Sequence, residues 1–262
     1  MQNYLFAEDW LIRIFLIWVR TSTIFVAAPF WSHLMIPASV RILAALGLSY
    51  ALVQRSDFIP WPASIAGPGG VILAVLWQVF WGLIIGWIAQ LVFAGLHLAG
   101  HLAGTMLGFA MASIVDPITQ AENPLVSVFF TWLGLMVFLA FNGHHMILLA
   151  LARSFEVDTL FVQSVTREQW VELAVQAGQF FVFGLRIAAP VVALIILVDF
   201  TVALSGKLSP QIPILVISFA IKILAGLMGL GLCLYFFSGS VYQFFTQQMA
   251  WLEKWLKAAA LY

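Results

Sequence analysis

The chain has 262 residues, of which 63% are hydrophobic and 8% are charged, and its 11 basic and 11 acidic residues balance to a net charge of zero. Soluble domains carry charge on about a quarter of their residues, so this composition excludes an ordinary soluble domain. The lack of a basic excess argues against nucleic-acid binding and against electrostatic attachment to anionic lipid. We therefore expect an all-α membrane protein, with residues 1–262 in a single integral domain.

Apolar stretches follow one another along the chain and predict about six membrane-inserted helical segments. A spanning helix needs about 20 apolar residues, and residues 58–115 contain no Asp, Glu, Lys or Arg. That region has room for two crossings with a turn between them. The apolar stretches lie near Trp10–Phe30, Ile42–Val53, Val71–Gly95, Leu96–Val115, Leu125–Leu151, Phe180–Val198 and Ile212–Phe237. The second of them is too short for a clean crossing.

Three further segments interrupt or end the apolar sequence. Ser56–Gly70 contains three prolines and predicts a loop, because proline and glycine punctuate helices. Arg153–Glu172 is the longest polar stretch, where we expect an interfacial or amphipathic helix. Within it, Thr166 followed three residues later by Gln169 indicates a capped helix start. The tail Met249–Tyr262 has an apolar face with two tryptophans and flanking lysines, a pattern typical of a membrane interface.

Five charged residues lie within or at the edges of apolar stretches: Arg13, Arg20, Arg186, Asp199 and Lys222. A charge at the bilayer centre costs about 3 kcal/mol even on the most lenient scale. Snorkelling from a helix end and burial in protein remain open for Arg13, Arg20 and Asp199. Arg186 and Lys222 have apolar sequence on both sides, so we expect protein groups to satisfy them. The candidates are Asp199 and a carboxylate of a partner.

Proline lies close to both of these internal cations. Pro190 follows Arg186 by four residues, and Pro210 and Pro213 precede Lys222. Each proline removes a backbone hydrogen bond, and a freed carbonyl at membrane depth needs another partner. The sequence therefore predicts helices broken by proline or glycine, in a chain surrounded by protein or water more than by lipid.

A ladder of glycines precedes a flexible apolar cluster. Gly100, Gly104 and Gly108 recur every four residues, so one helix face lacks side chains and allows another helix to approach closely. The cluster that follows is Met106, Leu107, Phe109 and Met111, and Asp116-Pro117 then predicts a helix boundary. Bulky apolar side chains at a constriction can exclude water and ions. An ordinary apolar helix end would show the same residues.

Four histidines form two pairs. His97 and His101 are four residues apart on one helix face, a spacing that can ligate a metal. His144 and His145 are adjacent, so on a helix they point about 100° apart. Because no cysteine or intramembrane carboxylate reinforces these pairs, we favour hydrogen bonding between helices. We expect no metal, no other cofactor and no catalytic residues.

The central and C-terminal motifs closely resemble the FliR family of flagellar biosynthesis proteins, which is related to the virulence-type subunit SctT. The resemblance covers nearly the whole chain, and the adjacent histidines favour the flagellar branch. The most specific part runs from Gly104 to Pro117. Further matching motifs are Asn142-Gly143-His144-His145, Leu185–Pro190, Ser209–Ile212 and Ser218–Lys222.

This resemblance implies a core, pore-forming subunit of the type III protein export gate in the bacterial inner membrane. The chain, built of helical hairpins, would join FliP and FliQ in a helical ring, and FlhB and FlhA would associate with that ring. Unfolded export substrates would pass through it, and the ring would seed the flagellar basal body. Met106, Leu107, Phe109 and Met111 would form the family's pore plug, and the glycine ladder would pack helices together.

Two other classes remain open on the residues alone. A polytopic secondary transporter would also have mid-membrane charges and helices broken by proline, although the sequence shows no internal repeat. A membrane redox or metal enzyme would depend on the histidines only. A protein of the export class should purify in a large complex with other apolar subunits, and a transporter should be stable alone.

Overall fold

The computed structural model describes residues 2–31, 36–55, 68–108, 125–156, 166–208 and 214–259. Within these ranges all regular secondary structure is helical, which confirms the predicted all-α class. The helices are α1 (Gln2–Ala27), α2 (Ala38–Arg55), α3 (Pro68–Met106), α4 (Leu125–Ala140), α5 (Gly143–Glu156), α6 (Arg167–Leu208) and α7 (Ile214–Ala259).

Four of these helices are long and apolar enough to cross a membrane. They are α1, α3, α6 and α7, and the pair α4 and α5 meets the same test only when taken together. The shorter α2 does not reach the required length, in agreement with the expectation for the stretch Ile42–Val53. The protein is therefore a multi-pass helical membrane protein.

The helix boundaries differ from the prediction in two places. Helix α3 continues through Gly95–Leu96, where two crossings with a turn were expected, because after its first residue no proline removes a backbone N–H from the helix. The stretch Leu125–Leu151, expected as one segment, is instead divided at Phe141–Asn142. Asn142 has a φ of 58°, a left-handed conformation that asparagine tolerates better than most residues. The chain bends there.

Proline does not break α6. Pro190 lies inside the 42-residue helix, which continues to Leu208. The expectation that proline would interrupt this segment is therefore wrong, since the rest of the helix keeps its conformation around a single missing N–H. The predicted start of α6 is confirmed: the Thr166 N–H donates to Oε1 of Gln169 at 2.9 Å, and the Gln169 N–H donates to Oγ1 of Thr166 at 3.4 Å.

The chain divides into two compact units, and α3, α6 and α7 each contribute to both. Unit 1 comprises Met1–Gln90, Asn142–Ala177 and Phe245–Tyr262. Its core contains Trp81 against Trp255, with ring centroids 5.2 Å apart, and the Trp255 indole N–H donates to the Gln169 carbonyl at 3.3 Å. The C-terminal segment is amphipathic as predicted. Its apolar face, however, is in this core and not at a membrane interface, because Trp255 is only 2% exposed.

Unit 2 comprises Leu91–Phe141 and Gly178–Phe244. Aromatic contacts hold its helices together: Phe130 lies 5.6 Å from Phe237 between ring centroids, and Phe183 stacks on Phe244 at 4.2 Å. One compact cluster fills the space at the C-terminal end of α3. Its buried members are Ala103, Leu107, Val126, Val191 and Ile195.

Candidate functional site

Unit 1 contains a fully buried arginine. Arg20 of α1 is 0% exposed, and its Nε donates to Oε1 of Gln78 on α3 at 2.7 Å. Its Nη1 donates to the carbonyl and to Oγ of Ser154 on α5, at 3.1 and 2.9 Å. The guanidinium carbon lies 4.3 Å from the ring centroid of Phe155. One side chain therefore joins three helices.

This arrangement offsets the cost of burying a charge. A guanidinium presents five N–H donors in a rigid fork, and hydrogen bonds to charged groups are stronger than neutral ones. The Ser154 carbonyl is in the last turn of α5, where the helix dipole favours a cation. The Phe155 ring adds a cation–π contact. Snorkelling, left open for Arg20 by the sequence, is therefore excluded in unit 1.

Unit 2 contains an ion pair between α6 and α7. Nζ of Lys222 lies 2.6 Å from Oδ1 of Asp199. The side chain of Lys222 is 25% exposed and that of Asp199 is 48% exposed. Asp199 is the carboxylate of this chain that the sequence analysis named as a candidate partner for Lys222. The pairing lets two charges occupy apolar helices without either remaining uncompensated.

Arg186, the other internal cation, is exposed on α6. Among the described residues its side chain has neither a hydrogen bond nor an ion pair, and Asp199, 13 residues further along α6, lies about 20 Å away along the helix axis. The structure therefore separates the two cations that the sequence treated alike. One is paired inside the chain and the other faces outward.

The glycine ladder lies at the end of α3. A Cβ placed on Gly100 would lie 2.7 Å from the Ser127 nitrogen and 2.8 Å from the Val126 carbonyl oxygen, so α3 and α4 approach with backbone against backbone. Gly104 is buried. Gly108 has a φ of 86°, a conformation that glycine adopts without strain, and it follows the last turn of the helix.

The cluster that resembles a pore plug is only partly described. Met106 is 39% exposed, and Leu107 is 1% exposed within the buried cluster of unit 2. A Cβ on Gly226 of α7 would collide with the Leu107 side chain, so these two residues are in close contact. Phe109, Met111, Asp116 and Pro117 lie outside the described residues.

The histidine motif surrounds the break between α4 and α5. Asn142 is exposed, Gly143 is buried, and the rings of His144 and His145 are 5.9 Å apart and nearly perpendicular. His144 also faces Phe30, with ring centroids 6.4 Å apart. His97 and His101 are exposed on α3. Within the described ranges, no three metal-ligating residues come together.

Sequence reasoning missed two polar partners of Arg20. Gln78 is the only amide or charged side chain in residues 71–89, and Ser154 lies at the start of the polar stretch Arg153–Glu172. A lone amide in an apolar run was the available signal, because a buried amide needs a hydrogen-bond partner. The sequence could not show that α1 brings a guanidinium to it.

Comparison with known proteins identifies the family. The sequence model for bacterial export proteins, family 1, matches residues 11–248. The chain belongs to this family. The match spans parts of both units and includes Arg20, Arg186, Asp199 and Lys222.

Curated relatives confirm the resemblance to FliR. The flagellar biosynthetic protein FliR of Bacillus subtilis (strain 168) is 28% identical over 222 residues, which is 84% of this chain and 85% of that protein. FliR of Pectobacterium carotovorum subsp. carotovorum is 29% identical over 227 residues, with coverage of 86% and 85%. FliR of Escherichia coli (strain K12) is 25% identical over 221 residues, with coverage of 84% and 83%.

Proposed function

We propose that this chain is a core structural, pore-forming subunit of the flagellar type III protein export apparatus. It helps to form the gate through which unfolded flagellar substrates leave the cytoplasm, and it seeds assembly of the basal body in the bacterial inner membrane. The observation that carries the proposal is the family match over residues 11–248, together with FliR relatives that align over more than four fifths of both chains. Its role is structural and not catalytic.

The dimensions of the long helices support membership of a larger assembly. At 1.5 Å per residue, the 42 residues of α6 extend over about 63 Å and the 46 residues of α7 over about 69 Å. The hydrocarbon core of a bilayer is only about 30 Å thick. Large apolar side chains are exposed along α7, from Leu224 at 66% to Tyr235 at 80% and Tyr242 at 49%. Lipid tails alone cannot cover helices of this length, so contact with other apolar subunits fits them better.

The resemblance to FliR supports a proposed set of partners. FliP and FliQ form a hetero-oligomeric ring with the chain, FlhB and FlhA associate with that ring, and lipid covers the remaining apolar surface. Residues 1–262 act in it as a single export domain that includes both units. Gly100, Gly104 and Gly108 hold the end of α3 against its neighbours, while Asn142, Gly143, His144 and His145 shape the α4–α5 break.

The gate lies at the C-terminal end of α3 and in the segment that follows. Met106, Phe109 and Met111 form an apolar seal that substrates push aside. Leu107, carried over from the family as a fourth plug residue, instead anchors the segment, because its side chain is buried against α7. Asp116-Pro117 ends the seal.

Deletion and complementation test this function. A strain that lacks the gene should lose motility and secretion of flagellar substrates into the medium, and the full chain supplied on a plasmid should restore both. The tagged chain should purify in mild detergent as a complex with other membrane subunits. A chain that purifies alone and moves a small solute, in a strain whose flagellar secretion is intact without it, would instead be a transporter.

A further inference from the structure

Arg186 is isolated from every described acidic group that could compensate it. It is the only charged residue in residues 173–198. On the same helix, Asp199 already binds Lys222 at 2.6 Å. Glu172 is 14 residues away, which is about 21 Å along the helix axis. An arginine side chain extends only about a third of that distance, so neither carboxylate satisfies the guanidinium.

The backbone at the same position has a second unmet requirement. Pro190 lies inside α6 and has no N–H, so the carbonyl of Arg186 loses the donor that an α-helix would normally supply. In an apolar environment such a carbonyl needs a new donor, and an uncompensated arginine costs about 3 kcal/mol or more. A guanidinium and a carbonyl that both need partners therefore occur at one level of the helix.

Small exposed residues lie beside this arginine. Ala189 and Ala193 are exposed and four residues apart, whereas Ile187, Ala188 and Val191 are buried within unit 2. Spacing of small residues by four lets a second helix come close enough for side-chain hydrogen bonds. We call Arg186, Ala189 and Ala193 together the Arg186 face. Exposed Leu185 and Ile196, at 56% and 57%, border it with apolar surface.

We propose that the Arg186 face docks an apolar helix of a different membrane subunit, and that this helix carries one Asp or Glu opposite Arg186. A carboxylate matches the guanidinium fork in charge and in geometry. The inference rests on the proposed function, because it requires an assembly of several membrane subunits. It adds the chemistry of one contact: the partner helix is apolar apart from a single acid, and it crosses α6 at the alanines.

Charge reversal tests the contact in the full complex. Arg186→Glu should lower the yield of complex on a native gel by about thirtyfold or more, the effect expected when one member of a buried ion pair is lost. Arg186→Lys should keep a large part of the yield. Arg167→Glu, which reverses an exposed cation at the start of α6, is the matched control and should assemble normally. The thermal stability of each variant chain purified alone should equal that of the parent.

A photo-crosslinking amino acid identifies the partner. Placed at Ala189, it should react with one other membrane subunit, and Arg186→Glu should abolish that product. The control position is Phe181, which is 53% exposed and about 140° around the helix from Arg186. Motile revertants of Arg186→Glu should change an acidic residue in an apolar helix of the crosslinked subunit to Lys or Arg.

Three results would overturn the proposal. If Arg186→Glu and Arg186→Met both assemble at the parental yield, Arg186 reaches lipid headgroups and no acidic helix binds it. A crosslink between two copies of this chain would show that a second copy, and not a different subunit, binds the Arg186 face. A parental chain that enters no complex, in a strain whose flagellar secretion does not need it, would remove the proposed function as well. If both variants assemble normally in a strain whose flagellar secretion needs the chain, only the Arg186 contact is overturned and the proposed function stands.

Discussion

At the scale of single residues, similar charges have different environments that the sequence alone does not separate. Arg20 and Arg186 both interrupt apolar stretches. Arg20 is surrounded by Gln78 and Ser154 inside unit 1, whereas Arg186 is exposed in unit 2. The position of each charge along its helix can be read from the sequence. The rotation of each helix about its axis cannot, because it depends on which neighbours pack against it.

Arg20 should stabilise the chain more than any exposed arginine. Arg20→Met removes hydrogen bonds to α3 and α5 and leaves Gln78 and Ser154 without their buried donor, so we expect the free energy of unfolding to fall by about 2 kcal/mol or more. Arg167→Met, at an exposed site, should change it by about 0.5 kcal/mol or less. Thermal unfolding in detergent measures both. Equal losses would mean that the contacts of Arg20 contribute nothing specific.

Two adjacent residues at the end of α3 should also respond differently. Leu107→Ala leaves a cavity in the buried cluster of unit 2, where the side chain is 1% exposed, so stability should fall by about 3 kcal/mol. Met106→Ala removes a side chain of similar volume that is 39% exposed, and the loss should be about 1 kcal/mol or less. The comparison uses the same unfolding measurement. If Met106→Ala is the more damaging change, then Leu107 is not the anchor of this segment.

At the scale of helices, the sequence predicts the elements better than their boundaries. Hydropathy indicates every long apolar helix in the described ranges, because the length and apolar composition of a segment can be read from the sequence. It does not show that α3 continues through Gly95–Leu96. There, a Cβ on Gly95 would lie 2.6 Å from Cδ1 of Phe183, so the glycine permits close packing with α6 and does not form a turn. Nor does it show the break at Asn142, which depends on a single left-handed residue.

The close approach of α3 and α4 gives a prediction with an internal control. Gly100→Ala introduces a methyl group against the backbone of Ser127, which cannot move as a flexible side chain can, so stability should fall by about 1–3 kcal/mol. Gly178→Ala in α6 has nothing within 4 Å of its new methyl group. It should be neutral or stabilise the helix by up to about 1 kcal/mol.

The chain purified alone in detergent is the sample for this comparison. The contact of Gly100 is within this chain, so the loss should appear without any partner subunit. A loss seen only in the complete complex would show that Gly100 packs against another subunit instead.

At the scale of the whole molecule, the family and the physical properties of the chain lead to the same proposal by different routes. The family match gives a bacterial export protein. The structure gives helices about twice as long as a bilayer is thick, exposed apolar surface, and an outward-facing arginine, Arg186, in the apolar part of α6. The motif residues after Gly108 could be recognised from the sequence by resemblance. Their role depends on partners and substrate that the folding of one chain does not determine.

The seal at the end of α3 can be tested by removing volume. If Met106, Phe109 and Met111 close the pore by bulk and by excluding water, then replacing all three with alanine should leak small ions. Assembly should persist, because Gly100 and Leu107 hold the helix end through other contacts. Substrate secretion should also persist, since a polypeptide must displace the seal in any case.

The control for this variant makes the same three changes of residue type at exposed positions elsewhere in the chain. Phe129, Met136 and Met228 are 44%, 63% and 71% exposed, and their replacement by alanine removes two methionines and one phenylalanine as well. Ion conductance, or growth in the presence of small toxic solutes, is compared at matched abundance of the complex. Leakage in the triple variant but not in this control assigns the barrier to the segment after α3. Equal permeability in the two variants and the parent would show that the methionines and phenylalanine only pack, and that the barrier to ions lies in another subunit.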